Sequence, residues 1–286
     1  MRTRNNKKYG GTKKKRPKCN PALVGKTLTD ESCLTKRLLS DVIFEGNQSV
    51  RDVMNECAND DKCVISRIVD SEKRQEIEND AFVPKQPLTW KLNINEWLSD
   101  NDILSVLTQH VKANKDFVFL GPSYIDFDFK YNNNECVENS LCKFSLANFI
   151  KKGKTKIGII FNLDDHTKSG SHWVSLYIDI KHRHMFYFDS AANDMPKEIK
   201  VLIARIKKQT KSLNMKQFKV YSNGVFEHQY SNTECGMYSL FFIVTMLTNK
   251  YEDRSFKNIK QKLEFFKRHR IPDKYVENLR SEYFHS

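Results

Sequence analysis

Apolar residues recur along this chain with two different periods, and each period predicts a different kind of element. A helical period predicts helices over residues 99–111, 197–208, 235–248, 256–266 and 273–283. Alternation and short apolar runs predict strands over residues 117–120, 156–161, 172–180, 184–189 and 218–221. The strands form a block between helices and do not alternate with them strictly. This order predicts an α+β fold.

The chain is predicted to divide into three regions. Residues 1–20 are rich in lysine and arginine, which is typical of a disordered basic tail. Residues 21–88 contain two short helical patterns, one after Thr29 and one after Ser49, and both of these residue types cap helices. We expect this region to form a small helical arm domain. Two prolines close it, and residues 89–286 form the predicted main domain.

Composition and charge exclude several classes of protein. Of the 286 residues, 39% are hydrophobic and 29% are charged, which is typical of a globular chain and not of a disordered or fibrous one. Neither a membrane helix nor a secretory signal is expected, because no apolar run is long enough and none follows the basic N-terminus. The formal net charge is +13, but residues 1–18 contain nine Lys or Arg and no acid, so the remainder carries only +4.

The seven cysteines are odd in number and lack the spacing of a disulfide framework or a metal site. A reducing compartment is therefore expected, with six of them as structural residues. The seventh, Cys235, opens an apolar helix directly after a polar loop. The positive end of the helix dipole favours a thiolate there, and Gly236 leaves room beside the sulfur. By position alone, a buried structural cysteine is the alternative.

His172 and Asp189 are predicted to meet at the open end of one hairpin. His172 begins the first strand, Asp189 ends the second, and the turn between the strands is short. Regular strand pairing would place Asp189 nearer Ser175 and on the sheet face opposite to that of His172. Contact between Asp189 and His172 therefore requires a bulge or an irregular turn. Taken separately, His172 is more simply a core histidine and Asp189 a strand-end cap.

The order and local context of four residues resemble one family. A His-Trp pair opening a strand, an Asp ending the next strand and Gln-x5-Cys-Gly opening an apolar helix resemble the adenain-like and sentrin-type cysteine proteases. Within them, the chain most resembles the polyprotein-processing proteases of large cytoplasmic DNA viruses, of the African swine fever virus type. The resemblance implies a core with a central mixed sheet packed between helices, preceded by a small helical N-terminal arm, so that residues 89–286 form the catalytic domain.

The roles of the family's site residues carry over to four positions. Cys235 matches the nucleophile, and His172 matches the general base that activates it. Asp189 matches the residue that orients the imidazole. Gln229 matches the side chain that stabilises the oxyanion together with the N–H of Cys235.

A second match lies upstream, in the segment Trp97-Leu98-Ser99-Asp100. In the family, the tryptophan of this segment and the one after the catalytic histidine flank a narrow tunnel for a Gly-Gly substrate. Trp97 and Trp173 hold those positions, and a core aromatic is the alternative for each. Asp100 is expected to cap the helix that follows.

The resemblance implies a viral cysteine endopeptidase that cuts structural polyproteins after Gly-Gly pairs during virion maturation. No metal, other cofactor or membrane partner is expected. The implied partners are capsid or core polyproteins, and the implied locations are the virus factory in the host cytoplasm and the virion. An alternative in the same fold is a protease that removes ubiquitin, SUMO or another ubiquitin-like modifier from proteins.

A third possibility is a non-catalytic basic core protein that binds nucleic acid. The net charge and the run Lys13-Lys14-Lys15-Arg16 favour it, but it does not account for four residues in protease order. In either case the tail is a candidate to bind DNA through phosphates without reading its sequence, and a solubilising or targeting arm is the alternative. The tail also contains a Gly-Gly pair, which is a candidate for self-cleavage.

Overall fold

A five-stranded mixed sheet forms the centre of the fold in a computed structural model, which describes residues 18–252 and 254–286. Its strands, in chain order, are β1 Phe117–Tyr124, β2 Lys156–Asn162, β3 Trp173–Asp179, β4 His184–Phe188 and β5 Lys219–Ser222. The strands lie side by side in that same order. β1 is parallel to β2, β4 is parallel to β5, and β3 is antiparallel to both of its neighbours. A separate antiparallel ribbon consists of β6 Lys250–Tyr251 and β7 Arg254–Ser255.

Helices cover both faces of the sheet and make up most of the regular structure before it. The α-helices are α1 Val50–Glu56, α2 Asp61–Ser66, α3 Ser71–Ala81, α4 Asp100–Ala113, α5 Asn139–Cys142, α6 Leu146–Lys151, α7 Lys197–Ser212, α8 Cys235–Thr248, α9 Ile259–Arg268, α10 Asp273–Asn278 and α11 Arg280–Tyr283. Short 3-10 helices lie at Pro21–Leu23, Glu45–Asn47 and Leu88–Lys91. Within the described residues, no helix has the length and apolar character needed to cross a membrane.

The central strand β3 is buried on both faces of the sheet, and a layer of helices packs against each face. Every residue of β3 is buried, because alternate side chains enter a different core on each side of the sheet. Tyr177 belongs to the core that contains α4 and α8, whereas Leu176 belongs to the core that contains α7. Helix α8 is apolar and buried along nearly its whole length, so it forms the centre of its layer.

The main-domain elements expected from periodicity are present, with ends that differ by a few residues. The strand predicted from residue 172 begins at Trp173, so His172 lies just outside it. The single helix predicted over residues 273–283 is two helices, α10 and α11, which meet at Leu279. The α+β fold class is confirmed.

The helix predicted after Thr29 is absent. Residues 33–43 form turns and irregular segments, and distant parts of the chain bond to both ends of this stretch, where Ile43 O accepts a hydrogen bond from the N–H of Val69 at 2.9 Å. The carboxylate of Asp61 accepts hydrogen bonds from the N–H of Cys33 and from Ser32 Oγ, both at 2.6 Å. These tertiary contacts compete successfully with the helical pattern.

The N-terminal region has a hydrophobic cluster of its own, formed by residues between 19 and 82. The helix predicted after Ser49 is present as α1, and Ser49 Oγ accepts a hydrogen bond from the N–H of Asp52 at 3.2 Å. At the far end of the chain, His285 O accepts a hydrogen bond from the N–H of Gln86 at 2.8 Å. The boundaries proposed at residues 20 and 88 remain predictions.

Six cysteines form three disulfides, which the sequence did not predict. The bonds join Cys19 to Cys33, Cys57 to Cys63 and Cys136 to Cys142. The turn between α1 and α2, for example, brings the Cα atoms of Cys57 and Cys63 to 5.5 Å, a separation that a disulfide spans. The expectation against disulfides is therefore wrong, and the expectation of a reducing compartment loses its main support. Cys235 is the free cysteine.

Ser99, and not Asp100, caps α4. Ser99 Oγ accepts a hydrogen bond from the N–H of Asp102 at 3.3 Å, and the Asp102 carboxylate accepts one from the N–H of Ser99 at 2.8 Å. This reciprocal pair is a capping box. The prediction that Asp100 caps the helix is wrong, because α4 begins at Asp100 and its N-cap is the residue before it.

Replacing Ser99 by alanine is expected to lower the free energy of unfolding by about 1 kcal/mol, because a helix-end N–H loses its partner. Asp100→Asn is the matched control, and we expect it to cost about 0.5 kcal/mol or less through a weaker interaction with the helix dipole. Urea unfolding of both variants measures the difference. A larger loss for Asp100→Asn than for Ser99→Ala would contradict the capping assignment.

Candidate active site

His172 and Asp189 meet where the β3–β4 hairpin opens. The hairpin pairs regularly as far as Ser175 and Phe188, and β4 then ends. Asp189 follows in a turn, in which its C=O accepts a hydrogen bond from the N–H of Ala192 at 3.0 Å. Because Asp189 has left the strand, its side chain is free of strand alternation, and its Oδ1 lies 2.6 Å from His172 Nε2.

The Asp189 carboxylate is fully buried and well supplied with donors. Besides His172, it accepts hydrogen bonds from the N–H of Ala191 at 2.9 Å, the N–H of Asn193 at 3.2 Å and Asn193 Nδ2 at 3.0 Å. A buried carboxylate is stable only when such partners replace the water it has lost. The turn thus holds Asp189 in one orientation toward the imidazole.

Cys235 is the first residue of α8, and its sulfur lies beside the His172 imidazole. The cysteine is 2% exposed, whereas the histidine side chain is 18% exposed, so the pair sits at the boundary between core and solvent. Burial disfavours the charged imidazole, but the hydrogen bond to Asp189 and the nearby Cys235 sulfur outweigh burial and raise the pKa of His172 to about 10. The imidazolium is therefore the favoured form at neutral pH.

A buried ion pair holds the start of α8. Glu234, which precedes the nucleophile candidate, accepts hydrogen bonds from Arg280 Nε at 3.2 Å and from Arg280 Nη2 at 3.0 Å. The two side chains are 0% and 3% exposed. Arg280 Nη2 also donates to Glu96 O at 2.9 Å, next to Trp97. Burial raises the pKa of Glu234, while its bonds to Arg280 favour the charged form.

Gln229 lies in the loop that leads into α8, and neighbouring residues fix its carboxamide. Its Oε1 accepts a hydrogen bond from Ser190 Oγ, and its Nε2 donates to Ser231 O, both at 2.7 Å. An amide nitrogen carries two hydrogens, so one donor of Gln229 remains available. Ser190 directly follows Asp189 in sequence, so the same turn positions the carboxylate and the carboxamide.

A groove of about 380 Å³ opens beside His172. Its lining residues are Trp97, Leu98, Ser99, Asp100, Asn101, Tyr124, Asn162, Ser169, Gly170, Ser171, His172 and Trp173. The structure thus brings both predicted tryptophans to one groove. Trp97 is 46% exposed at its edge, whereas Trp173 is 5% exposed and donates from Nε1 to Leu98 O at 3.0 Å.

Two glycines allow the residues that line this groove to pack closely against their neighbours. A Cβ on Gly236 would lie 2.9 Å from Leu98 Cβ and 3.2 Å from Trp173 Cδ1, so α8 approaches the Trp97 segment only because residue 236 has no side chain. Gly170, which lines the groove, has a φ of 103°, and a Cβ there would overlap Asn162 Nδ2. Both glycines therefore fix how the residues around the groove pack.

Several residues around the site were not predicted from the sequence. Asn223 Oδ1 accepts a hydrogen bond from the N–H of Asp189 at 3.1 Å, and Asn223 Nδ2 donates to Asp189 O at 2.7 Å. Its position directly after β5, the parallel neighbour of β4, is a usable signal, because the carboxyl ends of parallel strands lie together. Arg280 has no comparable local signal, since its partner Glu234 is 46 residues away.

Two further predictions concern the basic tail and the binding of metal ions. The predicted nucleic-acid-binding run, Lys13, Lys14, Lys15 and Arg16, lies outside the described residues, as does the Gly-Gly pair of the tail. In the part of the chain that the structure describes, no three His, Cys, Asp or Glu residues are grouped so as to hold a metal ion.

Comparison with protein families covers the part of the chain that contains His172, Asp189, Gln229 and Cys235. Residues 143–284 match the Ulp1 protease family, C-terminal catalytic domain. A protein of Acanthamoeba polyphaga mimivirus, a thiol protease by name, is 26% identical over 205 residues, which are 71% of this chain and 65% of that protein. A protein of African swine fever virus, named a cysteine protease or SUMO-1 cysteine protease, is 30% identical over 135 residues, which are 44% of this chain and 49% of that protein.

The matches therefore span about two thirds and about half of the lengths of these viral relatives. A crystal structure of an African swine fever virus protease has the same fold, with a TM-score of 0.65 at 20% identity over 94% of this chain and 95% of that one. The family membership expected from the His, Asp, Gln and Cys motifs is confirmed. Residues 143–284 are a catalytic domain of the Ulp1 protease family, related to viral thiol and cysteine proteases.

Proposed function

We propose that this chain is a cysteine endopeptidase that uses Cys235 as its nucleophile and cuts viral structural polyproteins after Gly-Gly pairs. The observation that carries the proposal is the His172 imidazole, held by the buried Asp189 carboxylate beside a free thiol at a helix start. The family match over residues 143–284 and the names of the viral relatives support the reaction class.

The charged imidazole fits a mechanism in which a thiolate attacks. The raised pKa of His172 keeps the imidazole protonated beside the Cys235 sulfur, and a neighbouring cation and a helix start are surroundings that suit a thiolate nucleophile. The thiolate attacks the peptide carbonyl carbon, forming a C–S bond while the C=O electron pair moves to oxygen. As the oxyanion collapses and the C–N bond breaks, His172 gives its proton to the departing amine, leaving a thioester.

Water completes the reaction. His172 removes a proton from water, the resulting hydroxide attacks the thioester carbon, and Cys235 leaves as a thiolate beside the newly formed imidazolium. In both tetrahedral intermediates the oxyanion needs preformed donors. The N–H of Cys235, which lies in the unpaired first turn of α8, and the remaining hydrogen of Gln229 Nε2 are the proposed donors.

The groove supports glycine on the acyl side of the cut. Aromatic side chains line the groove on its buried side, at Trp173, and on its exposed side, at Trp97. A glycine pair supplies a chain without Cβ atoms, which fits between aromatic walls. Because both named relatives are viral, we propose polyproteins of a virus particle as substrates, and the virus factory in the host cytoplasm and the virion as the sites of action.

A second candidate function is removal of a ubiquitin-like modifier. The name SUMO-1 cysteine protease, given to relatives in African swine fever virus, favours it. Such modifiers also present a terminal Gly-Gly, so the groove accommodates either substrate. Cleavage of Gly-Gly peptides from capsid polyproteins, compared with cleavage of ubiquitin-like conjugates at equal concentration, separates the two candidates.

A peptide that ends in Gly-Gly and carries a thiol-reactive electrophile is expected to label the wild-type protein once, at Cys235, because the other cysteines are in disulfides. Cys235→Ala should abolish both labelling and peptide cleavage, and His172→Ala should be nearly as damaging because the two residues act as a unit. Intact mass and cleavage rates measure these effects. Cleavage by Cys235→Ala within tenfold of wild type would contradict the mechanism.

Asp189→Asn is expected to move the alkaline limb of the pH–kcat/KM profile to lower pH. The carboxylate raises the pKa of His172, so its loss lets the imidazolium deprotonate earlier as the pH rises. The amide oxygen still accepts the imidazole N–H, so we expect activity below the limb to persist. Asp194→Asn, which alters a nearby carboxylate with no bond to His172, is the control and should leave the limb in place. An unshifted limb in Asp189→Asn would contradict the assigned role.

Replacing either glycine before the cut by alanine is expected to lower kcat/KM at least 100-fold, since a lost fit at the reacting carbonyl costs about 3 kcal/mol. Peptides ending in Gly-Gly, Ala-Gly, Gly-Ala and Ala-Ala before the same leaving group provide the series. Alanine placed four residues before the cut is the matched control. Efficient cleavage after Ala-Ala would refute the groove as the acyl-side binding site.

A further inference from the structure

A second, strongly cationic cleft lies between the N-terminal region and the end of α4. It has a volume of about 710 Å³ and shares no lining residue with the groove beside His172. Its basic lining residues are Lys26, Lys36, Arg37, Lys112 and Lys115. Among its described lining residues, Asp80 is the acid. A concave surface in which one sign of charge predominates focuses its field and attracts counter-ions.

Most of these cations are available to a ligand. Lys36, Arg37 and Lys115 are exposed, and within the described ranges none of the three forms an ion pair. Lys112 Nζ lies 3.7 Å from Asp80 Oδ1, a solvent-exposed pair of little strength. Lys26 Nζ donates to Ala22 O at 2.8 Å and retains further donors. The folded chain therefore presents several unneutralised charges in one concavity.

We propose that this cleft binds the phosphate backbone of a nucleic acid, with Lys36, Arg37 and Lys115 as the principal phosphate contacts. Arginine matches phosphate geometry with two parallel N–H donors, and lysine supplies a compact charge. Lys36 and Arg37 come from the N-terminal region and Lys115 from the segment after α4, so a bound strand spans the junction between them. Contacts of this kind position a nucleic acid without reading its bases.

The position of the chain's most basic segment favours a nucleic acid, and not an acidic protein, as the ligand of this cleft. Nine Lys or Arg occur in residues 1–18, and Asn20 and Ala22, which follow at once, line the cleft. A duplex carries one charge per roughly 1.7 Å of its axis, a density that acidic protein segments do not sustain over such a length. One phosphate chain can therefore engage the cleft and the basic segment together, and joining the two raises their combined affinity.

A fluorescent 30-base-pair duplex, titrated with the full chain over a series of salt concentrations, tests the proposal by anisotropy. The triple variant Lys36→Ala/Arg37→Ala/Lys115→Ala should bind at least tenfold more weakly near 0.1 M salt, and its log–log salt slope should fall by about 2.7, or about 0.9 for each lost phosphate contact. The matched control, Lys200→Ala/Lys208→Ala/Lys211→Ala, removes three exposed cations from α7, in the other helical layer. We expect its affinity to stay within twofold of wild type.

Neutralising Lys13, Lys14, Lys15 and Arg16 in the same full chain separates the basic segment from the cleft. If both contribute, this variant and the triple variant each lose affinity, and their combination loses more than either. Thermal unfolding confirms that the variants are folded, and if the triple variant is not, Lys36→Gln and Lys115→Gln each test one contact, with an expected slope change of about 0.9.

Three results would overturn the proposal. The first is a wild-type chain that shows no salt-dependent binding to the duplex. The second is a triple variant that binds with the affinity and slope of the α7 control. The third is polyglutamate binding as tight as duplex binding at equal charge, which would indicate an acidic protein partner. Peptidase activity need not change in any arm, so these results are independent of the proposed function.

Discussion

The buried ion pair between Glu234 and Arg280 is the contact on which the site's geometry depends. Glu234 immediately precedes Cys235 and lies at the start of α8, where its carboxylate meets the positive end of the helix. Arg280 donates hydrogen bonds to that carboxylate from Nε and Nη2, and Nη2 also donates to the backbone oxygen of Glu96, beside Trp97. One guanidinium thus joins the start of α8, where the proposed nucleophile lies, to the segment at the edge of the groove beside His172.

A buried pair of this kind is costly to break. Removing one partner typically costs about 3–5 kcal/mol, because the remaining charge is left in the core without water. Trp90 adds to the restraint on Arg280, whose guanidinium carbon lies 4.5 Å above the indole ring. Since α8 is packed on nearly all sides, its start cannot shift to relieve a misplaced partner. The Cys235 thiol therefore lies on a rigidly packed helix, whereas Asp189 lies in a turn that is held by hydrogen bonds from side-chain amides.

Local patterns were enough to predict the sheet, the central helix and the family, because these depend on short periodicities and short spacings. The apolar run after Cys235 predicts α8 at its observed bounds, and the motif around His172 and Asp189 predicts which hairpin carries them. The N-terminal region was harder. A helical pattern after Thr29 lost to contacts with Asp61 and to a disulfide, both of which join residues far apart in sequence. Arg280 was missed for the same reason.

The 46-residue separation of Glu234 and Arg280 also has a consequence for synthesis. A ribosome makes Cys235 and its helix well before it makes Arg280, so a growing chain first presents Glu234 without its cation. Until α9, α10 and α11 have emerged, the thiol is present but its support and the groove edge are not joined. The order of residues along the chain thus postpones the complete geometry of the candidate site until nearly all of residues 143–284 have been translated.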